Sequence, residues 1–214
     1  MRRKKKNEAP RKTLLIVTST ESESLYFSQM RKDCRYTNMS VLWAQEAQTL
    51  EDIIKFASRE RIKGHFDSVW CTLSFQKTGI TPQNVREYQQ FALKKKVNLA
   101  WNNPDISLWY LLHLQSPRLP ISDTKVIESS LKGVFPQFTS EPSYLLKEGM
   151  NLHLKLFNAK AQAVVNGSAY NKLVEGRMDN LEPVHMTRLL NDITTFCGNA
   201  DMSHNQKLIG LKNN

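Results

Sequence analysis

Four short apolar runs, each followed by helical periodicity, constrain this chain more than any other feature. They are Thr13-Leu14-Leu15-Ile16-Val17-Thr18, Val41-Leu42-Trp43-Ala44, Asp67-Ser68-Val69-Trp70-Cys71-Thr72-Leu73 and Val97-Asn98-Leu99-Ala100-Trp101. A strand with one solvated face alternates apolar and polar residues, whereas a strand covered on both faces has no polar side to show. Nearly continuous apolar runs therefore read as strands of a parallel sheet, expected near 13–18, 40–44, 67–73 and 97–101.

The segments between them carry apolar residues at helical spacing. A first helix begins near Ser22 with Leu25, Tyr26, Phe27 and Met30, and a second carries Leu50, Ile53, Ile54 and Ala57. A third starts at Thr81-Pro82, where proline suits a first helical turn, and carries Val85, Tyr88 and Ala92. This alternation predicts an α/β fold: a mostly parallel four-stranded sheet flanked by helices, with right-handed crossovers. Beyond Trp101 the periodicity predicts helices at about 105–115, 124–133, 143–165 and 183–197, the last marked by Met186, Leu189, Leu190, Ile193 and Phe196. The expected division is a basic arm over 1–12, an α/β core over 13–104, a helical region over 105–197 and a polar tail over 198–214. No internal repeat is present.

Composition excludes several classes. No apolar run approaches the roughly 18 residues that cross a bilayer, and the basic start at Met1-Arg2-Arg3-Lys4-Lys5-Lys6 leads into Asn7-Glu8-Ala9-Pro10 rather than an apolar signal segment. A cytoplasmic location is expected. Cys34, Cys71 and Cys197 lie far apart with no C-x-x-C pair, which reads as reduced cysteines and not a zinc or redox site. With no G-x-x-x-x-G-K-[ST], the chain is not itself a P-loop ATPase.

A formal charge of +10 biases encounters toward polyanions, nucleic acid first and acidic protein surfaces second. Residues 2–12 hold seven basic side chains and one acid, and Lys94-Lys95-Lys96 forms a second cluster. Arg2, Arg3, Lys4, Lys5, Lys6, Lys94, Lys95 and Lys96 are the candidate phosphate contacts, although charge runs also serve solubility alone. Trp43, Trp70, Trp101 and Trp109 all fall inside strand or helix patterns, so core packing is expected before base stacking.

The segment Asn102-Asn103-Pro104-Asp105-Ile106-Ser107-Leu108-Trp109-Tyr110-Leu111-Leu112-His113-Leu114 resembles the signature of the RloB family, where an Asn-Pro pair closes a central strand and an acidic residue precedes a Leu-Trp-Leu-Leu-His run. Three further segments extend the resemblance: Ser19-Thr20-Glu21-Ser22-Glu23 before Tyr26-Phe27, Asp67-Ser68-Val69-Trp70, and more loosely Glu182-Pro183-Val184-His185-Met186-Thr187. It implies a Toprim-type nucleotidyl-transfer domain, a role in bacterial antiviral defence or abortive infection, and an AAA-type ATPase partner; a homo-oligomer stays open. The family's metal-binding acids fall here on Ser19, Ser74, Gln76 and Ser107, with Glu23 at the second glutamate position.

That pattern of substitution matters chemically. Mg²⁺ is hard, strongly hydrated, and held by anionic oxygens, and it stabilises charge on a phosphoryl group. Hydroxyls and an amide bring no charge, so no metal cofactor is expected, and the family-site positions Ser19, Glu23, Ser74, Gln76, Asn103, Ser107 and His113 mark a pseudonuclease. Glu21, Glu23 and Asp105 are the acids that could substitute, with Mg²⁺ then required. Thr20-x-x-Glu23 equally reads as a capping box and Asp105 as a favourable charge in a first helical turn. His113 reads as a core histidine or a general acid, and His153 and His185 lack the spacing of a metal pair. Three functions stand: a catalytically degenerate component that binds nucleic acid or a partner protein, an active metal-dependent nuclease using displaced acids, and a protein-interaction module.

Overall fold

In the computed structural model, residues 11–176 and 181–210 are described. Arg2, Arg3, Lys4, Lys5 and Lys6 lie outside them. The first four strands are β1 (Leu14–Thr18), β2 (Met39–Trp43), β3 (Ser68–Ser74) and β4 (Asn98–Asn102). Helices α1 (Glu21–Asp33) and α2 (Leu50–Lys63) connect the first three. A single turn, α3 (Phe75–Thr78), and α4 (Pro82–Lys94) lead to the fourth. Capping boxes at Thr20, Thr49 and Thr81 start the long helices where the sequence places hydroxyl residues three before a polar partner.

The sheet is five-stranded, one strand more than expected, in the order β2-β1-β3-β4-β5. Strand β5 (Val184–His185) is antiparallel to β4, facing Trp101 and Asn102. It occupies the start of a predicted helix. The Asn171 carboxamide bonds both the N–H and the C=O of Val184, and Pro183 accepts from the Asn103 amide, so the segment is held extended until α10 (Thr187–Cys197) begins.

The second half is helical as expected: α5 (Ile106–Leu114), α6 (Thr124–Lys132), α7 (Pro142–Leu145), α8 (Leu152–Leu156) and α9 (Lys160–Val174). The continuous helix expected over 143–165 is instead three. The first piece stops at its C-cap Leu146, Gly149 takes φ +72° in the link that follows, Asn151 caps the next through its side chain, and a 3-10 turn at 157–159 separates the last. The polar residues after 197 fold back: the Asp201 amide reaches the Cys34 carbonyl, and Asn205 reaches that of Asp33.

Both sheet faces are covered. One face packs Leu15, Val17, Val69 and Cys71 against α2 and α4. The other packs Leu14, Ile16, Trp70 and Ala100 against α1, α5 and the helical half in one continuous core. Helix α5 is buried from Ile106 to His113, which is why its sequence is apolar all round.

Candidate functional site

Ligands of parallel α/β sheets collect at the carboxyl ends of the strands. There β1 ends at Thr18, β3 at Ser74 and β4 at Asn102, and Ser74 lies opposite Asn102 in the sheet register. Ser19 and Ser74 are in direct contact: the Ser74 amide donates to the Ser19 hydroxyl at 3.0 Å. The Ser19 hydroxyl donates onward to Glu23 Oε2 at 2.8 Å.

Glu23 is fully buried and holds local structure together with that one oxygen. Oε2 also accepts the Ser19 amide at 3.0 Å and the Thr20 amide at 3.1 Å, completing the N-terminal cap of α1. Burial raises the pKa of Glu23 above its ordinary 4.5, although the bonds from Ser19 and Thr20 pull the other way. Its second oxygen, Oε1, has no partner among the described residues. The same holds for Thr72 Oγ1, Ser74 Oγ, both amide atoms of Asn102 and the Tyr110 hydroxyl. Thr72, Ser74 and Asn102 share the sheet face on which α1 and α5 carry Glu23 and Tyr110. Buried polar groups are ordinarily satisfied by protein or by water, so these atoms are the polar part of an otherwise apolar interior.

A second cluster adjoins it. Asp105, 2% exposed, caps α5 by accepting the Ser107 amide at 2.8 Å and the Ser107 hydroxyl through the same oxygen. Its other oxygen lies 3.2 Å from Thr124 Oγ1. Thr124 in turn bonds Gln76 through its amide, at 3.1 Å, and its hydroxyl. One hydroxyl proton cannot serve both Gln76 and Asp105. Burial raises the Asp105 pKa, against the bonds from Ser107 and Thr124 that lower it. Gln76 is tied to the chain beyond β4 as well, its amide donating to the Pro104 carbonyl at 2.8 Å. Asn103, half-buried, uses its amide on Pro183 across a cis peptide to Pro104.

The helical half roofs this edge. The Ser22 hydroxyl bonds the Ser140 carbonyl at 2.9 Å, Lys77 pairs with Glu141, and Phe138 packs edge-on against Tyr110 and Tyr144. A phosphodiester would have to displace these groups to reach Glu23.

A family model, RloB-like protein, matches residues 14–191. The chain belongs to the RloB-like family. No curated protein and no solved structure matches it. The Mg²⁺ that the resemblance implies does not fit the donors this RloB-like chain presents. They are hydroxyls, a carboxamide and one carboxylate oxygen on a group that burial pushes toward neutrality, while Asp105 commits both oxygens to internal bonds. Among the described residues no group of three or more His, Cys, Asp or Glu could hold an ion.

Other candidates sit elsewhere. His113 is buried on α5 away from Ser19, its Nδ1 at 2.8 Å from the Trp109 carbonyl, and burial pushes its pKa down to about 4. It is a neutral core histidine that donates to that carbonyl. Lys94, Lys95 and Lys96 are exposed where α4 turns into β4, at the amino edge of the sheet, opposite the Ser19–Ser74 contact. Arg11 and Lys12 are exposed at the same edge, before β1. Sequence reasoning misses a buried pair: His153 Nδ1 lies 2.8 Å from Asp33 Oδ2, and Asn151 donates to both Asp33 oxygens. The two residues lie 120 positions apart, so spacing could not reveal them. All three cysteines are free and buried, and no helix among the described residues is long and apolar enough to cross a membrane.

Proposed function

We propose that this RloB-like protein acts by binding nucleic acid through a Toprim-like scaffold whose nuclease centre has been converted into structure. The observation that carries this reading is the Glu23 carboxylate, buried and committed to the cap of α1 where a metal ligand would need charge and a free face. Asp105 is committed in the same way to Ser107 and Thr124. The displaced-acid alternative relies on Glu21, Glu23 and Asp105, and two of these three are engaged internally.

The +10 charge supports a polyanionic partner. The exposed lysines at the amino edge supply contacts that carry no sequence information, and the N-terminal arm is proposed to add to them. A role in bacterial defence, cytoplasmic and beside an AAA-type ATPase, follows from the family resemblance and belongs to the same proposal.

The test uses the purified protein with labelled single- and double-stranded DNA and RNA. We expect binding that weakens steeply with salt and no Mg²⁺- or Mn²⁺-dependent cleavage. Lys94→Ala/Lys95→Ala/Lys96→Ala should flatten the logarithmic salt slope by about 0.7 to 0.9 for each phosphate no longer neutralised. Metal-dependent nicking abolished by Glu21→Gln or Glu23→Gln would establish the nuclease reading instead. No binding to any of the four nucleic acids would leave the protein-interaction module.

A further inference from the structure

Three of the four tryptophans are core residues: Trp70, Trp101 and Trp109 are 4%, 2% and 2% exposed. Trp43 is different. It ends β2, an edge strand, and is only half-buried. It lines a cleft of about 610 Å³ between the chain leaving β2 and the outer face of α2, together with the half-buried Phe56 and the exposed Lys55 and Arg59. The Arg59 guanidinium lies over the Phe56 ring, 5.3 Å from its centroid.

A second cleft of about 410 Å³ shares Lys55 and Arg59 and continues along α2 to Ile62, Lys63 and Lys95. Ile62 is 62% exposed, unusual for an isoleucine on a helix whose other face is core. The two clefts form one track. It begins at an aromatic floor beside the carboxyl end of β2 and ends among the lysines of the amino edge.

The chemistry of the track changes along its length. At the Trp43 end, Gln45 and Glu46 are exposed hydrogen-bonding groups beside the aromatic floor, suited to the edge of a nucleobase. Toward the other end the groups are cationic and apolar, suited to a phosphate backbone and a sugar. Acids do lie on the track: Glu46 and Asp52 line the first cleft, Asp52 being engaged by Thr49 at the start of α2, Lys55 bonds Glu51 at 2.8 Å and Lys63 reaches Glu60 at 4.0 Å. Arg59 lies 3.6 Å from Glu60 but keeps its planar group on Phe56, where a second flat ring can stack.

We propose that this track binds single-stranded nucleic acid, with a base stacked on Trp43 and the backbone running over Arg59 toward Lys63 and Lys95. Single strands fit because their bases offer a free face to an aromatic ring, whereas a duplex hides it. The inference rests on the nucleic-acid-binding reading and names the surface and the strandedness.

The test is anisotropy of a short fluorescein-labelled homothymidine oligonucleotide, single-stranded and as its duplex with the complementary strand, titrated with the full chain. The single strand should bind more tightly, and binding should quench tryptophan fluorescence. Trp43→Ala should weaken single-strand binding roughly five- to 150-fold, the range for removing one stacked base, while Trp43→Phe should retain most binding and lose the quench. Arg59→Glu, at an exposed position of α2, should weaken it as well. Equal binding by the parent, Trp43→Ala and Arg59→Glu would overturn this surface and leave the broader reading intact. Failure of the parent to bind either form of DNA or the matching RNA would overturn both.

Discussion

The Ser74 amide and the Ser19 hydroxyl meet at 3.0 Å, tying the loop after β1 to the end of β3. Adding charge there tests the proposal that this edge is a metal site without its acids. Ser19→Glu with Ser74→Asp and Gln76→Asp places carboxylates beside Glu23 and withdraws the acceptor that Gln76 offers Thr124. The metal-free variant should be less stable than the parent by about 1–3 kcal/mol, from broken hydrogen bonds and like-charge crowding. Added Mg²⁺ should raise its melting temperature by mass action and leave the parent unmoved. A parent stabilised by Mg²⁺ as much as the variant would refute the assignment.

Glu23 has its pKa raised by burial, so the folded chain holds that proton to higher pH than the unfolded chain. The stability this contributes is fully present below the unfolded value of about 4.5 and is lost as pH rises through the folded value. Asp105 is shifted in the same direction. Urea midpoints taken from acid to neutral pH should therefore decline less in Glu23→Gln than in the parent, and least in Glu23→Gln/Asp105→Asn. Glu23→Ala, which removes the N3 half of the capping box, should destabilise the chain as well, and by more at acid than at neutral pH, because the parent alone has the Glu23 contribution to lose.

His113 has the opposite sign. Its folded pKa is depressed from 6.5 to about 4, so the unfolded chain takes up the proton first and stability falls as pH drops through that window. The loss amounts to about 3 kcal/mol when complete. His113→Asn keeps a donor for the Trp109 carbonyl and cannot titrate. Its urea midpoint should stay flatter than the parent's between those two pH values; identical acid limbs would show that His113 is not the group responsible.

Asp33 and His153 join the end of α1 to α8 in the interior, with side chains 6% and 4% exposed. Removing one member of such a pair leaves the other buried without its partner, at a cost of about 3–5 kcal/mol. Asp33→Ala or His153→Ala should lose that much in denaturant titration. The double variant should lose clearly less than the sum, because neither group is then stranded.

The sheet was legible because strands covered on both faces must be apolar throughout, and the expected ranges fall within a residue or so of β1 to β4. The cap at Thr20-x-x-Glu23 was legible for a similar reason: spacing alone sets its geometry. What escaped the sequence depends on distant partners. Val184 is extended because Asn171 and β4 hold it, and Glu182-Pro183 looks locally like a helix start. Gln76 accepts from Thr124, 48 residues away, a pairing no local pattern announces. Trp43 sits in a strand pattern like Trp70 and Trp101, and only the edge position of β2 leaves its ring half open.

Strand β5 is two residues long, yet it sends the chain back into the sheet after all of the helices from α5 to α9 have been laid down. The polypeptide therefore enters the same hydrogen-bonded layer at both ends of its sequence, like a belt whose tongue returns to its own buckle. A fragment stopping near residue 104 would lack the pairing for Trp101 and Asn102, and a fragment starting there would lack the strand onto which Val184 docks. Recombination between relatives at the Asn103-Pro104 junction should yield chimeras whose halves mismatch at this seam as well as in the core they share.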